Sequence, residues 1–250
     1  MISVKSPREI ELMRQAGQIV GECHDLIRSM IKPGITSQEI NDAVEAHILA
    51  CGATPEFKGY GGFPAATCCS VNDTVVHGFP NNHPLQAGDI ISVDIGARYK
   101  GYVGDSAWTY QVGEVSEEVN NLLEQTQEAL FTGLDQVKAG VHLSDVSHAI
   151  EEVANNYHLG IVRNFAGHGV GSELHEEPEI LNYGPAGKGP ILEAGMTLAI
   201  EPMLNLGLDD VYVCDNGWEV KTKDHKPAAH FEHTILVTED GYEILTKQNQ

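Results

Sequence analysis

Basic side chains are scarce in this sequence of 250 residues. Lys and Arg together number 15 against 36 Asp and Glu, which gives a formal net charge of −21. The densest basic cluster, at Lys221, Lys223 and Lys226, also contains Asp224. Because an acidic surface repels phosphates, this balance argues against direct binding of nucleic acid. Bound cations would neutralise part of the excess negative charge.

The sequence also lacks the features that mark secreted and membrane proteins. Its cysteines number 5 and form no C-x-x-C pair, so neither a disulfide framework nor a cysteine zinc site is indicated. The first residues contain no apolar signal-peptide core, and no apolar run is long enough to cross a bilayer. We therefore expect a cytoplasmic protein in a reducing compartment, without membrane contact.

The sequence does contain an internal repeat. The segment Lys32–Ile35 (KPGI) recurs 106 residues later as Lys138–Val141 (KAGV), and Leu85–Asp94 (LQAGDIISVD) recurs 107 residues later as Leu192–Glu201 (LEAGMTLAIE). Generic loop, helix and strand patterns would also give short matches, but the shared order and nearly equal offset favour duplication. The two units run roughly over 7–112 and 116–240, with no linker between them. We therefore expect a single domain over residues 1–250.

Each unit has the pattern of two helices followed by strands. Capping signals and apolar periodicity predict helices over roughly 7–31, from Thr36 or Ser37 to Cys51, 116–138 and 144–157. Runs of apolar and β-branched residues predict strands over Ile90–Ala97, Val103–Val112, Thr197–Met203 and His230–Thr238. This order predicts an α+β fold in which two halves, related by a pseudo-twofold axis, share a central antiparallel sheet.

Two aspartates lie on the first predicted hairpin. A turn centred on Tyr99 and Lys100, followed by Gly101, would make Asp94 and Asp105 direct cross-strand neighbours. Apolar neighbours in both strands favour a partly buried face, where paired carboxylates need a cation or a shared proton between them. The alternative is a solvent-exposed face with both carboxylates hydrated.

The repeat maps Asp94 onto Glu201, and we interpret Glu232, which opens the last predicted strand, as the counterpart of Asp105. A pseudo-twofold axis would bring all four carboxylates to one centre, and four negative charges call for about two divalent cations. Oxygen-rich ligands favour Mn, Fe(II), Co or Zn over a soft-ligand metal.

Three histidines have spacings that suit a site. His168 and His175 lie in a glycine-rich segment, and His77 follows a short apolar run. Imidazole is a common metal ligand and a general acid or base. We interpret the remaining histidines as structural, and we expect His233, next to Glu232, to face the other side of its strand. The structural set is His24, His47, His83, His142, His148, His158, His225 and His230.

Six motifs together resemble those of the methionine aminopeptidases, the short bacterial-type class with the pita-bread fold, over nearly the whole chain. They are NDTVVHGFP (72–80), GDIISVDIG (88–96), GDS (104–106), GHGVGSELHE (167–176), GMTLAIEPM (195–203) and FEHTI (231–235). The resemblance implies a metalloaminopeptidase that removes the amino-terminal methionine from nascent proteins when the second residue is small. It also implies two divalent ions held by Asp94, Asp105, His168, Glu201 and Glu232.

The resemblance assigns roles to further residues. Asp94 would hold one ion with both oxygens, Asp105 and Glu232 would bridge the pair, and His168 and Glu201 would complete the second ion. The ions would activate a shared water for attack on the scissile carbonyl. His77 and His175 would contact that carbonyl, and Glu201 would carry the proton to the leaving amine. The methionine pocket would consist of Tyr60, Phe63, Cys68, His77 and Trp218, with Phe63 where other members carry tyrosine.

Two rival functions remain. One is a proline-directed peptidase of the same fold, such as aminopeptidase P or prolidase, although those relatives usually carry a large amino-terminal domain. The other is a non-catalytic binding protein, but such relatives have lost their metal ligands. For the preferred function, we expect a monomer that contacts ribosomes transiently at most.

Overall fold

The computed structural model describes residues 2–249. Four α-helices precede or separate the main strands: α1 Pro7–Met30, α2 Ser37–Ala50, α3 Glu117–Leu134 and α4 Leu143–Asn156. The strands are β1 Thr54–Pro55, β2 Thr67–Val71, β3 Thr74–Val76, β4 Ile90–Tyr99, β5 Tyr102–Gln111, β6 Gly160–Ile161, β7 Gly167–Gly169, β8 Glu176–Ile180, β9 Thr197–Ile200, β10 Met203–Asn205, β11 Val211–Val213, β12 Val220–Thr222, β13 Ala228–His230, β14 His233–Val237 and β15 Tyr242–Ile244. A short 3₁₀ turn covers Tyr60–Gly62.

Side-chain caps fix where the first two helices begin. The Ser6 backbone N–H donates to Glu9 Oε2 over 2.7 Å, and the Thr36 N–H donates to Glu39 Oε2 over 2.8 Å. Each pair forms a capping box, which satisfies backbone donors that the first helical turn leaves free. Thr36, and not Ser37, is therefore the cap of α2.

Helix α3 ends four residues before the predicted limit of 138. The N–H groups of Gln136 and Val137 donate to carbonyls three residues back, at Gly133 and Leu134. This tightening ends the helix and buries Val137 in the core.

A pair of helices covers one face of each main sheet. Val93 and Ile95 of β4 pack in a buried cluster with residues of α1 and α2. Leu198 of β9 and Ile235 of β14 pack in another cluster with residues of α3 and α4. Because side chains alternate along a strand, Asp94 lies on the face of β4 that is opposite the helices. Both halves therefore bury one face under helices and leave the other for polar groups.

Two glycines let α1 lie directly on β5. A Cβ atom on Gly104 would stand 2.7 Å from the backbone nitrogen of Gly17, which is closer than real Cβ atoms come. The contact between helix and strand backbones therefore depends on the missing side chain. This contact fixes the distance between β5 and α1, and therefore the position of Asp105, the next residue on β5.

The hairpin between β4 and β5 closes one residue later than the sequence predicted. Lys100 (φ 48°) and Gly101 (φ 90°) form the two-residue turn, as expected for a turn that needs positive φ at both positions. The register therefore pairs Asp94 with Ala107 and Asp105 with Gly96. The prediction that the two aspartates lie directly opposite each other was wrong. The shift is two residues, so both side chains still face the same side.

Hydroxyl side chains join β5 to the second half. The Thr234 Oγ1 donates to the Asp105 carbonyl over 2.7 Å, and the Ser106 Oγ donates to the Glu232 carbonyl over 2.7 Å. The Glu232 N–H donates to the Ala107 carbonyl over 2.8 Å. This hydroxyl seam places Asp105 and Glu232 side by side.

Two predicted strands are each broken at a candidate site residue. The strand predicted over Thr197–Met203 is interrupted at Glu201 and Pro202, because proline has no N–H for the ladder. The strand predicted over His230–Thr238 is interrupted at Phe231 and Glu232, whose N–H groups bond outside it. Among residues 2–249, the helices include none that combines the length and apolarity needed to span a bilayer.

Candidate metal centre

The first half contributes two carboxylates to the floor of a cavity. Asp94 lies in the middle of β4 and Asp105 near the start of β5. One oxygen of each, Oδ1, is buried and has no hydrogen-bond partner among residues 2–249. A buried carboxylate oxygen without a partner is costly, so a ligand that accepts its lone pairs is expected here.

The second half contributes two glutamates and a histidine. Glu201 follows β9, Glu232 precedes β14, and His168 lies on β7. His168 Nε2 is 3.5 Å from Asp105 Oδ2 and 3.5 Å from Glu201 Oε1. Its Nδ1 lies 2.9 Å from the Gly169 carbonyl, to which it donates as the protonated nitrogen. Nε2 therefore faces the carboxylates, where it would bind a metal once its proton is lost. All five predicted metal ligands line one cavity.

His230 also lies in this centre, and its interpretation as a structural histidine was wrong. Its side chain is 2% exposed, and Nε2 lies 3.3 Å from Glu201 Oε2 and 3.9 Å from Glu232 Oε2. Nε2 has no hydrogen-bond partner among the described residues. The sequence did hold a signal, because His230 precedes Glu232 by two residues and alternate residues of an extended chain share a face.

The centre carries more negative charge than its surroundings balance. Burial raises the pKa of Asp94, and the charges of Asp105 and Glu201 raise it further. Burial and the same two charges raise the pKa of Glu232. Burial lowers the pKa of His168, but the hydrogen bond to Asp105 and the charges of Glu201 and Asp105 outweigh it and give a value of about 9. As far as residues 2–249 define it, the cavity lining contains no Lys or Arg.

These residues fit divalent cations. The groups Asp105–His168–Glu232 and Glu201–His230–Glu232 each present ligand atoms that lie within 4.8 Å of one another. The donors are carboxylate oxygens and imidazole nitrogens, which suit Mn, Fe(II), Co and Zn. Glu232 belongs to both groups, so two neighbouring ions could share it.

The cavity of about 210 Å³ continues from the centre into an apolar pocket. Phe63 lies 5.2 Å from Trp218 and 5.4 Å from Phe79 between ring centroids, and is almost fully buried. All five predicted pocket residues line the cavity, namely Tyr60, Phe63, Cys68, His77 and Trp218. The sequence analysis assigned no role to six other lining residues. Phe57, Phe165 and Ala166 lie outside the six motifs, whereas Val76, Leu174 and Met203 lie inside them.

Two histidines stand beside the carboxylate cluster. His175 Nδ1 hydrogen-bonds with the Tyr60 hydroxyl over 2.7 Å, and its ring lies 4.4 Å from that of His168. His77 has a left-handed backbone (φ 60°) and packs edge-on against Phe165. Burial is the main cause that lowers the pKa of both His77 and His175. Both rings are therefore neutral at pH 7, and each has one N–H to donate.

His233 lies outside the cavity, as its position next to Glu232 predicted. Its Nδ1 lies 2.9 Å from the Thr246 hydroxyl, and its ring packs against Trp108 and Phe131. Burial lowers the pKa of this histidine to about 3.

Comparison with known proteins agrees with this geometry. The chain is 51% identical to methionine aminopeptidase 1 of Bacillus subtilis, over 99% of this chain and all of the relative. Its structure matches the crystal structure of methionine aminopeptidase from Thermotoga maritima with a TM-score of 0.98 at 47% identity, covering 99% of this chain and 100% of the other. The prolidase from Pyrococcus furiosus matches less closely, with a TM-score of 0.80 at 25% identity, covering 99% of this chain and 66% of the prolidase.

These matches confirm the predicted α+β, pita-bread fold. The model of metallopeptidase family M24 matches residues 11–239. With a carboxylate and histidine centre that fits divalent cations and a family model that spans nearly the whole chain, this chain belongs to metallopeptidase family M24.

Proposed function

We propose that the chain is a methionine aminopeptidase, a metal-dependent hydrolase that removes the first methionine of a peptide when the second residue is small. One observation carries this proposal: the acidic centre and the apolar aromatic pocket are parts of the same cavity. A peptide whose first side chain fills the pocket has its first peptide bond at the centre. The high identity to methionine aminopeptidases over the full chain supports the same activity.

The centre would hold two divalent ions, through Asp94, Asp105, His168, Glu201 and Glu232. When bound, the ions supply Lewis acidity and make water a nucleophile near neutral pH. Asp105 and Glu232 lie side by side on the hydroxyl seam, so both would take part in holding the ions. The His230 Nε2 lies against Glu201 and Glu232, and we assign it the role of fixing the orientation of these two carboxylates.

The chain's own residues would bind the peptide and move protons. His175, hydrogen-bonded through Nδ1 to Tyr60, would donate from Nε2 to the oxygen of the scissile carbonyl. His77, which lines the same cavity, would donate to the same part of the substrate. Glu201 would accept a proton from the attacking water and transfer it to the leaving amine.

The pocket would select the first side chain. Phe63, Cys68 and Trp218 offer an aromatic and sulfur-lined wall, which suits a flexible thioether. Because one methylene-sized difference in an apolar pocket is worth about 1–3 kcal/mol, leucine should be disfavoured by a finite factor. The natural substrates would be the amino termini of nascent polypeptides. We propose a cytoplasmic monomer with at most transient contact to the ribosome.

Peptide hydrolysis tests this function. The chain reconstituted with Mn, Fe(II), Co or Zn is expected to cleave Met-Ala-Ser. It should cleave norleucyl-Ala-Ser at the same rate or more slowly, and Met-Lys-Ser hardly at all. Equal kcat/KM for Met-Ala-Ser and Leu-Ala-Ser would show a general aminopeptidase instead. Preferred cleavage before proline would favour a prolidase-type activity. The Asp94→Ala variant, which lacks a proposed metal ligand, serves as the inactive control.

A further inference from the structure

Three metal-ligating side chains meet on the outer helices, away from the candidate metal centre. Glu22 lies on α1, His47 lies in the last turn of α2, and Cys51 is the residue that ends α2. One ligand atom of each lies within 4.8 Å of those of the other two. We propose that this helix triad, Glu22, His47 and Cys51, is a separate zinc site with carboxylate, imidazole and thiolate ligands.

Two distances within the helix triad are close to those between neighbouring ligands of a tetrahedral zinc ion. His47 Nε2 lies 3.0 Å from Glu22 Oε2 and 3.6 Å from Cys51 Sγ. Zinc bonds of about 2.0–2.3 Å at tetrahedral angles place neighbouring ligand atoms roughly 3.3–3.6 Å apart. The ligand atoms of Glu22 and Cys51 lie within 4.8 Å of each other, so side-chain adjustments of about 1 Å would bring all three atoms around one ion.

Local structure holds two of the ligands in place. His47 and Cys51 are four residues apart, so they lie one above the other on the same side of α2. The Cys51 N–H donates to the His47 carbonyl over 3.0 Å, which fixes the backbone between them. The carbonyl end of a helix carries a partial negative charge, which favours a cation at this position.

The helix triad differs from the acidic centre both in its position and in its ligand chemistry. The helices α1 and α2 cover the face of β4 opposite Asp94, so the sheet lies between the two sites. Glu22, His47 and Cys51 are all partly exposed, which leaves access for the ion and for a water as fourth ligand. Thiolate ligation selects Zn²⁺, Co²⁺ or Cd²⁺ over Mn²⁺ or Mg²⁺. The ion must displace the proton of the Cys51 thiol, so its affinity falls in acid.

Cobalt spectroscopy distinguishes this site from the centre, whose proposed ligands are oxygen and nitrogen. The metal-free full chain is titrated with Co²⁺ under reducing conditions without oxygen. A thiolate-to-cobalt charge-transfer band is expected, and Cys51→Ser should abolish it. Cys68→Ser, which changes the thiol nearest the centre, should leave the band in place. Absence of the band in the unaltered chain, or its loss in Cys68→Ser alone, would overturn the proposal.

Zinc counting by equilibrium dialysis gives a second measurement. The Cys51→Ser and His47→Gln chains are expected to bind one ion fewer than Cys214→Ser, which changes a similarly half-buried thiol in a loop. Helix content and peptide hydrolysis should be the same in all three, because the helix triad is remote from the centre. Equal zinc content in Cys51→Ser and Cys214→Ser would contradict the assignment.

Discussion

Tyr60 and His175 form a pair in which one side chain determines the chemistry of the other. When the Tyr60 hydroxyl donates to Nδ1, the imidazole proton of His175 stays on Nε2. Burial keeps the ring neutral by lowering its pKa, and the neighbouring His168 acts in the same direction. His175 is therefore set as a neutral hydrogen-bond donor.

Replacing His175 should therefore affect catalysis more than metal binding. We expect His175→Ala to lower kcat by a factor on the order of 10²–10³, the usual loss for one donor to a developing oxyanion. Metal content should stay near that of the unaltered chain. Activity assays paired with elemental analysis measure both. Loss of metal in this variant would instead identify His175 as a ligand, and Tyr60→Phe is the milder companion variant.

Protonation of the carboxylates should make metal binding depend on pH. In the metal-free chain, the pKa of Asp94 and that of Glu232 are raised, so these groups hold protons at a higher pH than ordinary carboxyls. His168, with a pKa of about 9, is protonated at pH 7. Metal binding must expel these protons, so the affinity rises with pH, by up to about tenfold per pH unit for each proton released. Calorimetry in buffers of different ionisation enthalpy counts the protons, and equal heats in all buffers would disprove the release.

The residues of the site differed in how easily they could be predicted from the sequence. Asp94, Asp105, Glu201 and Glu232 were found because the repeat assigned each a counterpart and because carboxylates in apolar strands are conspicuous. His230 was missed because a histidine outside any recognisable motif was interpreted as structural, although it precedes Glu232 by two residues in the predicted strand. The positions of Phe165 and Leu174 depend on how distant loops fold over the cavity, and local sequence does not encode that.

At the scale of elements, local capping residues determine where the helices begin and end, whereas hydrogen bonds to distant parts of the chain determine the limits of the strands. The ends of α1, α2 and α4 agreed with prediction to within a residue or so, because capping side chains act locally. The two strand breaks, at Pro202 and at Glu232, depend on partners elsewhere in the chain. The hairpin register depended on which two residues take positive φ, and these are Lys100 and Gly101 instead of the predicted Tyr99 and Lys100.

The contact of α1 with β5 gives a prediction about packing. Gly104→Ala should lower the free energy of unfolding by about 1–3 kcal/mol or more, because the new methyl group overlaps the backbone at Gly17. Metal affinity should fall as well, since Asp105 is the next residue. Gly241→Ala is the matched control, because its Cβ would have no atom within 4 Å. Denaturant unfolding compares the two, and equal stability would show that helix and strand separate at little cost.

At the scale of the whole molecule, each half supplies carboxylates to a centre between them. Asp94 and Asp105 come from the first repeat unit, and Glu201 and Glu232 come from the second. The general fold and this arrangement were predictable, because duplication repeats the elements and a twofold axis brings equivalent positions together. That residues 1–250 form a single domain stays a prediction.

Metal should therefore stabilise the folded chain as a whole. A ligand that binds the native state alone adds about 2.7 kcal/mol at one hundred times its Kd, which raises the Tm of a chain of this size by roughly 5–10 °C. Saturation with Mn²⁺, which avoids thiolate sites, should give this rise, and chelation should reverse it and abolish activity. Scanning calorimetry measures the shift. The double variant Asp94→Ala, Glu232→Ala should show almost none, and an unchanged Tm in the unaltered chain would argue against a shared centre.

The hydroxyl seam between β5 and β14 also sets an order of events during synthesis. Asp105 leaves the ribosome long before Thr234 and Glu232, which come much later in the sequence. Until they arrive, the carboxylates of the first half have no counterparts and no complete set of ligands. The metal therefore cannot guide the early folding of the first half, and its full set of ligands exists only after Glu232 has been made. A newly made chain can hold metal at this centre only once the second half has closed against the first.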